Sequence, residues 1–163
     1  MGAFPWQGSH PRFAHALADT LAYWQLNELR HRAWPTLSGG EQQRVQLART
    51  ALQQALADPA QARLWLLDEP LAALDLHHQS VALEAMRTAA AAGALVVASV
   101  HDMNAALAIA SHVLILANGE VIWHGAVQAE PIREALSEAF ALPLVWATWQ
   151  SGDTSGRWLV PRP

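Results

Sequence analysis

Two carboxylates, Asp68 and Glu69, stand side by side directly after the apolar run Leu64-Trp65-Leu66-Leu67, which reads as a buried parallel strand. Neighbouring side chains of an extended segment point opposite ways, so the two acids are placed for different jobs. One can hold a Mg²⁺ through water while the other orients and deprotonates an attacking water. The plainer alternative is an acidic strand exit facing solvent. His101 closes a second apolar run, Leu95 to Val100. Parallel strands open on one crevice, where a neutral imidazole can reach a phosphate or the water beside it. An ordinary edge histidine reads the same way.

Ser38-Gly39-Gly40-Glu41 opens the next helix upstream. Ser38 as N-cap with Glu41 three residues on is a capping box. Two glycines also let another surface approach the backbone, and free N–H groups at a helix start suit an anion such as a nucleotide phosphate. Asp75 follows in the loop beyond Pro70; it reads equally as the N-cap of a helix starting near Leu76.

The elements that must position these groups follow from periodicity. Leu17, Leu21, Trp24 and Leu29 predict an amphipathic helix over 15–29, with Pro35 closing the segment. A second helix runs from the Ser38 cap to about Ala57 with Val45, Ala48, Leu52 and Ala55 on one face, ended by Asp58-Pro59. Helices are also expected at 76–92, stopped by Gly93, at 103–110 and at 131–141. Asn118-Gly119 between apolar runs predicts a hairpin of Val113–Ala117 with Glu120–His124. The tail, Leu144 to Pro161, reads as two strands around a turn at 151–156. Alternating strands and helices with polar groups at strand ends indicate an α/β sheet with its site on the carboxyl edge, although the strands are too few for a complete sheet of that type.

The 163 residues are 52% hydrophobic and suffice for one domain-sized core. All ten cationic side chains are arginines, the formal net charge is −4, and no lysine or cysteine occurs. Such a chain has no basic stripe for nucleic acid, no disulfides and no thiolate metal site, which fits a reducing compartment. No run of about 18 apolar residues is present, and the opening Met-Gly-Ala-Phe-Pro-Trp has no signal-peptide character. Eight tryptophans, from Trp6 to Trp158, are dispersed and read mainly as packing.

Leu37-Ser38-Gly39-Gly40-Glu41-Gln42-Gln43-Arg44-Val45, Leu64-Trp65-Leu66-Leu67-Asp68-Glu69-Pro70, Ala73-Leu74-Asp75 and Ser99-Val100-His101-Asp102 occur in this order. Together they closely resemble the nucleotide-binding subunits of ATP-binding-cassette (ABC) transporters, and the likeness spans the whole chain. It implies the C-terminal part of a P-loop NTPase domain: a mostly parallel sheet flanked by helices, part of a helical subdomain, and a C-terminal hairpin. Residues 1–57 would be helical subdomain and signature helix, and 58–163 a portion of the catalytic subdomain. The resemblance assigns Ser38, Gly39 and Gly40 to the signature motif, which closes over ATP held by an opposite subunit, and puts Glu41 and Asp75 with them among the nucleotide-binding residues. It makes Asp68 the Walker B aspartate that positions Mg²⁺, Glu69 the catalytic base, Asp75 the D-loop aspartate and His101 the switch histidine at the γ-phosphate.

The family's phosphate loop, Gly-x-x-x-x-Gly-Lys-Ser/Thr, cannot lie in a chain without lysine. The adenine-stacking aromatic and glutamine loop are absent too, Gln7 being in the wrong context. A truncated form that does not hydrolyse ATP alone is therefore expected, with a sheet edge exposed where missing strands would lie. Within the family, the stretch Gln42–Arg49, the insert near 58–63 and Leu74–Gln79 look most like the ATPases of haem importers, with cobalamin and siderophore importers close relatives. The implied assembly is an ATPase dimer on integral membrane permease subunits, peripheral to the cytoplasmic face of the inner membrane, without nucleic acid. His77 and His78 suggest haem ligation, yet neighbours on a helix point about 100° apart and cannot share one axial site. Alternatives are a non-catalytic partner or decaying fragment, and a non-transport ABC ATPase; the latter would show heptad arms or basic inserts.

Overall fold

The computed structural model describes residues 12–58, 60–127 and 129–163; Trp6, Gln7 and Pro59 lie outside them. The chain divides into two compact units, one up to Val100 and one from His101 onward.

In the first unit, helix α1 covers Phe13–Tyr23 and stops short of the predicted Leu29. Gln25 turns left-handed with φ 53°, the Leu26 N–H bonds Leu21 O at 2.8 Å, and a 3-10 turn takes Asn27–Leu29. The break has a packing reason. Trp24 and Leu26 are both buried, and a continuous helix would send residues two apart to opposite sides. Arg44 answers the carbonyls left over, donating Nη1–H to Trp24 O at 3.2 Å and to Gln25 O at 3.1 Å. Pro35 sits inside a second 3-10 turn, Trp34–Thr36, rather than ending the segment.

Helix α2 spans Gly39–Leu56 and buries Leu47, Ala48, Leu52 and Leu56. The buried stripe is turned from the predicted one: Val45 is half-buried and Ala55 exposed. Strand β1, Leu64–Leu67, runs parallel to β2, Leu95–Ala98, in the register Leu64 with Leu95 through Leu67 with Ala98. β2 ends two residues before the predicted Val100. Helix α3, Leu76–Ala91, joins them and packs on β2, and Gly93 takes φ 86° just after it.

The second unit begins with helix α4, Met103–Ile109. Strands β3, His112–Ala117, and β4, Glu120–Ala126, make the expected antiparallel hairpin. Asn118 and Gly119 have φ 52° and 79°, as a two-residue primed turn requires. Helix α5 covers Ala129–Ala139, so Pro131 lies in the first turn, where its missing N–H has no partner to lose. Strands β5, Leu144–Ser151, and β6, Thr154–Pro161, pair as far as Ser151 with Thr154, which tightens the expected 151–156 turn to two residues. Ile115, Ile132, Ala135, Leu136, Leu144 and Leu159 form this unit's core. The Arg157 guanidinium lies 4.5 Å over the Trp146 ring.

The architecture is α/β. Among the described strands one pair is parallel and two are antiparallel hairpins, so the parallel character rests on β1 and β2.

Candidate functional site

At the start of α2, Ser38 is extended (ψ 164°) and forms both halves of the capping box. Its Oγ accepts the Glu41 N–H at 3.3 Å, and its own N–H donates to Glu41 Oε2 at 2.7 Å. Arg32 Nη1 donates to Glu41 Oε1 at 3.1 Å. The Ser38 backbone N–H, with the smaller help of its hydroxyl and of Arg32 and Arg44, holds the Glu41 carboxyl below its ordinary range. The box uses the amides of residues 38 and 41. The Gly39 and Gly40 N–H groups remain, without a bond to any described residue, at the positive end of the helix dipole.

Both glycines face the loop after β1. A Cβ on Gly39 would meet Ala73 Cβ at 3.6 Å, but one on Gly40 would stand 2.7 Å from the Ala73 carbonyl oxygen. Ala73 itself has φ 60°. The α2 N-terminus and this loop therefore touch backbone to backbone. Gln43, one turn along, donates Nε2–H to Glu69 O at 3.2 Å.

Asp68 and Glu69 lie just past β1, and Glu69 has φ 46°, so the extended alternation expected for the pair ends between them. A hydroxyl unassigned from sequence ties the two together. Ser99 Oγ donates to Asp68 Oδ1 at 2.6 Å and accepts the Glu69 N–H at 2.8 Å, while its N–H bonds Leu67 O at 2.9 Å. The parallel register puts Ser99 there: it follows Ala98, the partner of Leu67. The signal was present in Ser99-Val100-His101-Asp102, whose serine is one residue past a strand that must neighbour β1.

Asp75 is the N-cap of α3, its Oδ1 accepting the His78 N–H and meeting His78 Nδ1, each at 2.8 Å. The backbone bond, then the ring, lowers its carboxyl below the ordinary range. His77 Nε2 meets Gln25 Nε2 at 2.9 Å, so the two adjacent rings, 72° apart, engage different partners.

Thus the first unit gathers Ser38 to Glu41, Asp68, Glu69 and Asp75 around one loop. His101 belongs to the second unit, exposed, immediately before Asp102, which caps α4 through the Asn104 and Ala105 amides at 2.8 and 3.1 Å. An apolar groove of about 470 Å³ between α1 and α2, floored by Leu17, Leu21 and Leu52, contains none of the predicted site residues. Among the described residues no group of three or more metal-ligating side chains occurs, and no helix is long and apolar enough to cross a membrane.

Residues 9–72 match the family model described as ABC transporter. The hemin import ATP-binding protein HmuV of Myxococcus xanthus is 41% identical over 138 residues, 82% of this chain and 51% of that protein. The chain belongs to the ABC transporter family. The HmuV of Chelativorans sp. is 44% identical over 124 residues, 76% of the chain and 48% of that protein. An inward-facing ABC transporter assigned to the metal-chelate type superposes with a TM-score of 0.73 at 28% identity, covering 91% of this chain and 57% of that one. The dimeric bacterial cassette MJ0796 does so at 0.61 and 26%, covering 80% and 52%. The chain spans about half the length of the curated relatives it matches.

Proposed function

We propose that this ABC-family chain supplies the signature, Walker B and D-loop portion of the nucleotide-binding subunit of an importer for haem or a related iron chelate or cobalamin. The observation that carries the reading is the convergence of three segments in the first unit. The α2 N-terminus abuts Ala73, Gln43 holds Glu69, and Ser99 couples Glu69 to Asp68.

In this reading the Gly39 and Gly40 amides, with the Ser38 hydroxyl, receive the phosphates of ATP bound by a second nucleotide-binding subunit. Asp68, a hard carboxylate oriented by the Ser99 hydroxyl at its Oδ1, fits Mg²⁺ and would hold it. Bound Mg²⁺ would neutralise phosphate charge during hydrolysis. Glu69, turned out of the strand line by its positive φ, takes the proton of the attacking water. Asp75 caps the start of α3 as the D-loop aspartate, residues 1–57 serve as helical subdomain and signature helix, and His101 senses the γ-phosphate. Integral membrane permease subunits carry the cargo path, and the subunit works at the cytoplasmic face of the inner membrane. The importer class comes from relatives named for hemin import.

Without a lysine, this polypeptide lacks the side chain that bridges β and γ oxygens, and it does not turn over ATP alone. Phosphate release and nucleotide binding by the purified chain test this. Background rates are expected with and without Mg²⁺; steady Mg²⁺-dependent release that Glu69→Gln abolishes would defeat the inactivity.

A further inference from the structure

Glu69 holds a backbone conformation that its own neighbours disfavour. A residue before proline is pushed toward extended geometry, and Pro70 follows. Glu69 nevertheless has φ 46°, a left-handed value that a side chain with a Cβ rarely adopts and that persists only where the surroundings impose it. Side chains from two other elements grip its backbone. The Glu69 N–H donates to Ser99 Oγ at 2.8 Å. Its carbonyl accepts Gln43 Nε2–H from α2 at 3.2 Å, besides the Ala72 N–H at 3.0 Å within the loop.

Ser99 is fixed independently of Glu69. Its N–H bonds Leu67 O at 2.9 Å, one step past the Leu67–Ala98 pair of the β1–β2 ladder. Its hydroxyl has a single proton, and an ionised carboxylate only accepts. The proton therefore goes to Asp68 Oδ1, at 2.6 Å, and the oxygen is left to receive the Glu69 N–H. Donating one bond while accepting another strengthens both. We propose that Ser99 is the positioning residue of Glu69: its hydroxyl, aligned by Asp68 and backed by Gln43 on the Glu69 carbonyl, holds Glu69 left-handed and so sets the direction of its carboxylate. One hydroxyl then aligns both acids, and a displacement of the end of β2 reaches them together. The hold concerns the Glu69 backbone; only its catalytic purpose rests on the reading of Glu69 as base.

The test is NMR of the isotopically labelled chain, without nucleotide or metal. A positive φ brings a residue's amide and α protons together and gives a strong intraresidue NOE. Glu69 of the parent should show it. Ser99→Ala should weaken it by about threefold as Glu69 relaxes toward the extended form, and Ser99→Thr, which keeps the hydroxyl, should restore it. Gln43→Ala, which spares the Ala72 bond, should weaken it less, and decides if Ser99→Ala does not fold. Amide protection at Trp65 and Met86 should match the parent in each folded variant, because a general loss of stability would lower protection there without turning Glu69. An undiminished NOE in Ser99→Ala, or in Gln43→Ala where that variant decides, would overturn the hold, as would a loss in Ser99→Thr equal to that in Ser99→Ala. The base reading fails by a different route: Mg²⁺-dependent phosphate release that Glu69→Gln leaves intact removes the base and leaves the hold as measured.

Discussion

Gly40 is the position where the site has no room to spare. Alanine is normally the better helix residue by about 1 kcal/mol. At Gly40, however, the added methyl would lie 2.7 Å from the Ala73 carbonyl oxygen, which is backbone and cannot swing away. Gly40→Ala should therefore destabilise the first unit by about 1–3 kcal/mol in denaturant melts. Gly39→Ala, with 3.6 Å to Ala73 Cβ, should be neutral or slightly stabilising. Equal effects would show that the loop gives way and that the close approach is not a constraint. Glu41 offers a second residue-level handle. Its folded carboxyl titrates below its ordinary value of 4.5, chiefly because it accepts the Ser38 N–H. A depressed acid contributes stability above the unfolded value and loses it as pH falls through the folded one. Glu41→Gln keeps an acceptor for the capping box and removes the titration. The stability difference between parent and Glu41→Gln should hold at neutral pH and shrink below about pH 4.5; a difference constant down to pH 3 would mean the carboxylate charge is irrelevant to folding.

At the scale of elements, one side chain replaces a strand. Asn104, the second residue of a seven-residue helix, donates Nδ2–H to Leu159 O at 3.0 Å and accepts the Leu159 N–H at 2.8 Å. Leu159 is buried, so Asn104→Ala would strand both backbone groups at a cost of about 1–3 kcal/mol. Asn104→Asp keeps the acceptor, loses the donor and turns a carboxylate oxygen on Leu159 O. It should be no better than alanine, and faster exchange of the Leu159 amide in Asn104→Ala than in the parent is the direct readout. Such a clamp was invisible in the sequence, because it joins residues 55 apart. What was legible had local causes: the Ser38 cap with Glu41, the Asn118-Gly119 turn, and the apolar run before Asp68. The failures had nonlocal ones. The predicted helix past Tyr23 gives way because Trp24 and Leu26 must be buried together, and the α2 stripe turns toward Leu47 and Leu56. For the candidate site, the motif residues of the first unit could be listed from the chain, but Ser99, Gln43 and Ala73 could not be given their contacts. Those depend on the β1/β2 register and on a loop whose left-handed residues, Glu69 and Ala73, are not glycines.

The whole molecule holds two cores. The first unit buries Trp24, Leu47, Leu52, Trp65 and Met86, and the second centres on Ile132, which is fully buried with Ile115, Leu136, Leu144 and Leu159 around it. Truncating a core aliphatic residue costs about 2–5 kcal/mol, and the cost falls on whatever unfolds cooperatively with it. If each unit opens by itself, Ile132→Ala should accelerate amide exchange through β3 to β6 and α5 while α2 and α3 keep their protection. Leu52→Ala, in the first unit, should do the reverse. The comparison decides which residues share a stability, and with it how Glu41 and Gly40 are to be measured: against the melt of their own unit, not a single transition. Should Ile132→Ala raise exchange in α2 as much as in β6, the chain unfolds as one body, and a change around Asp68 or Ser38 would then be felt as far as the terminal hairpin.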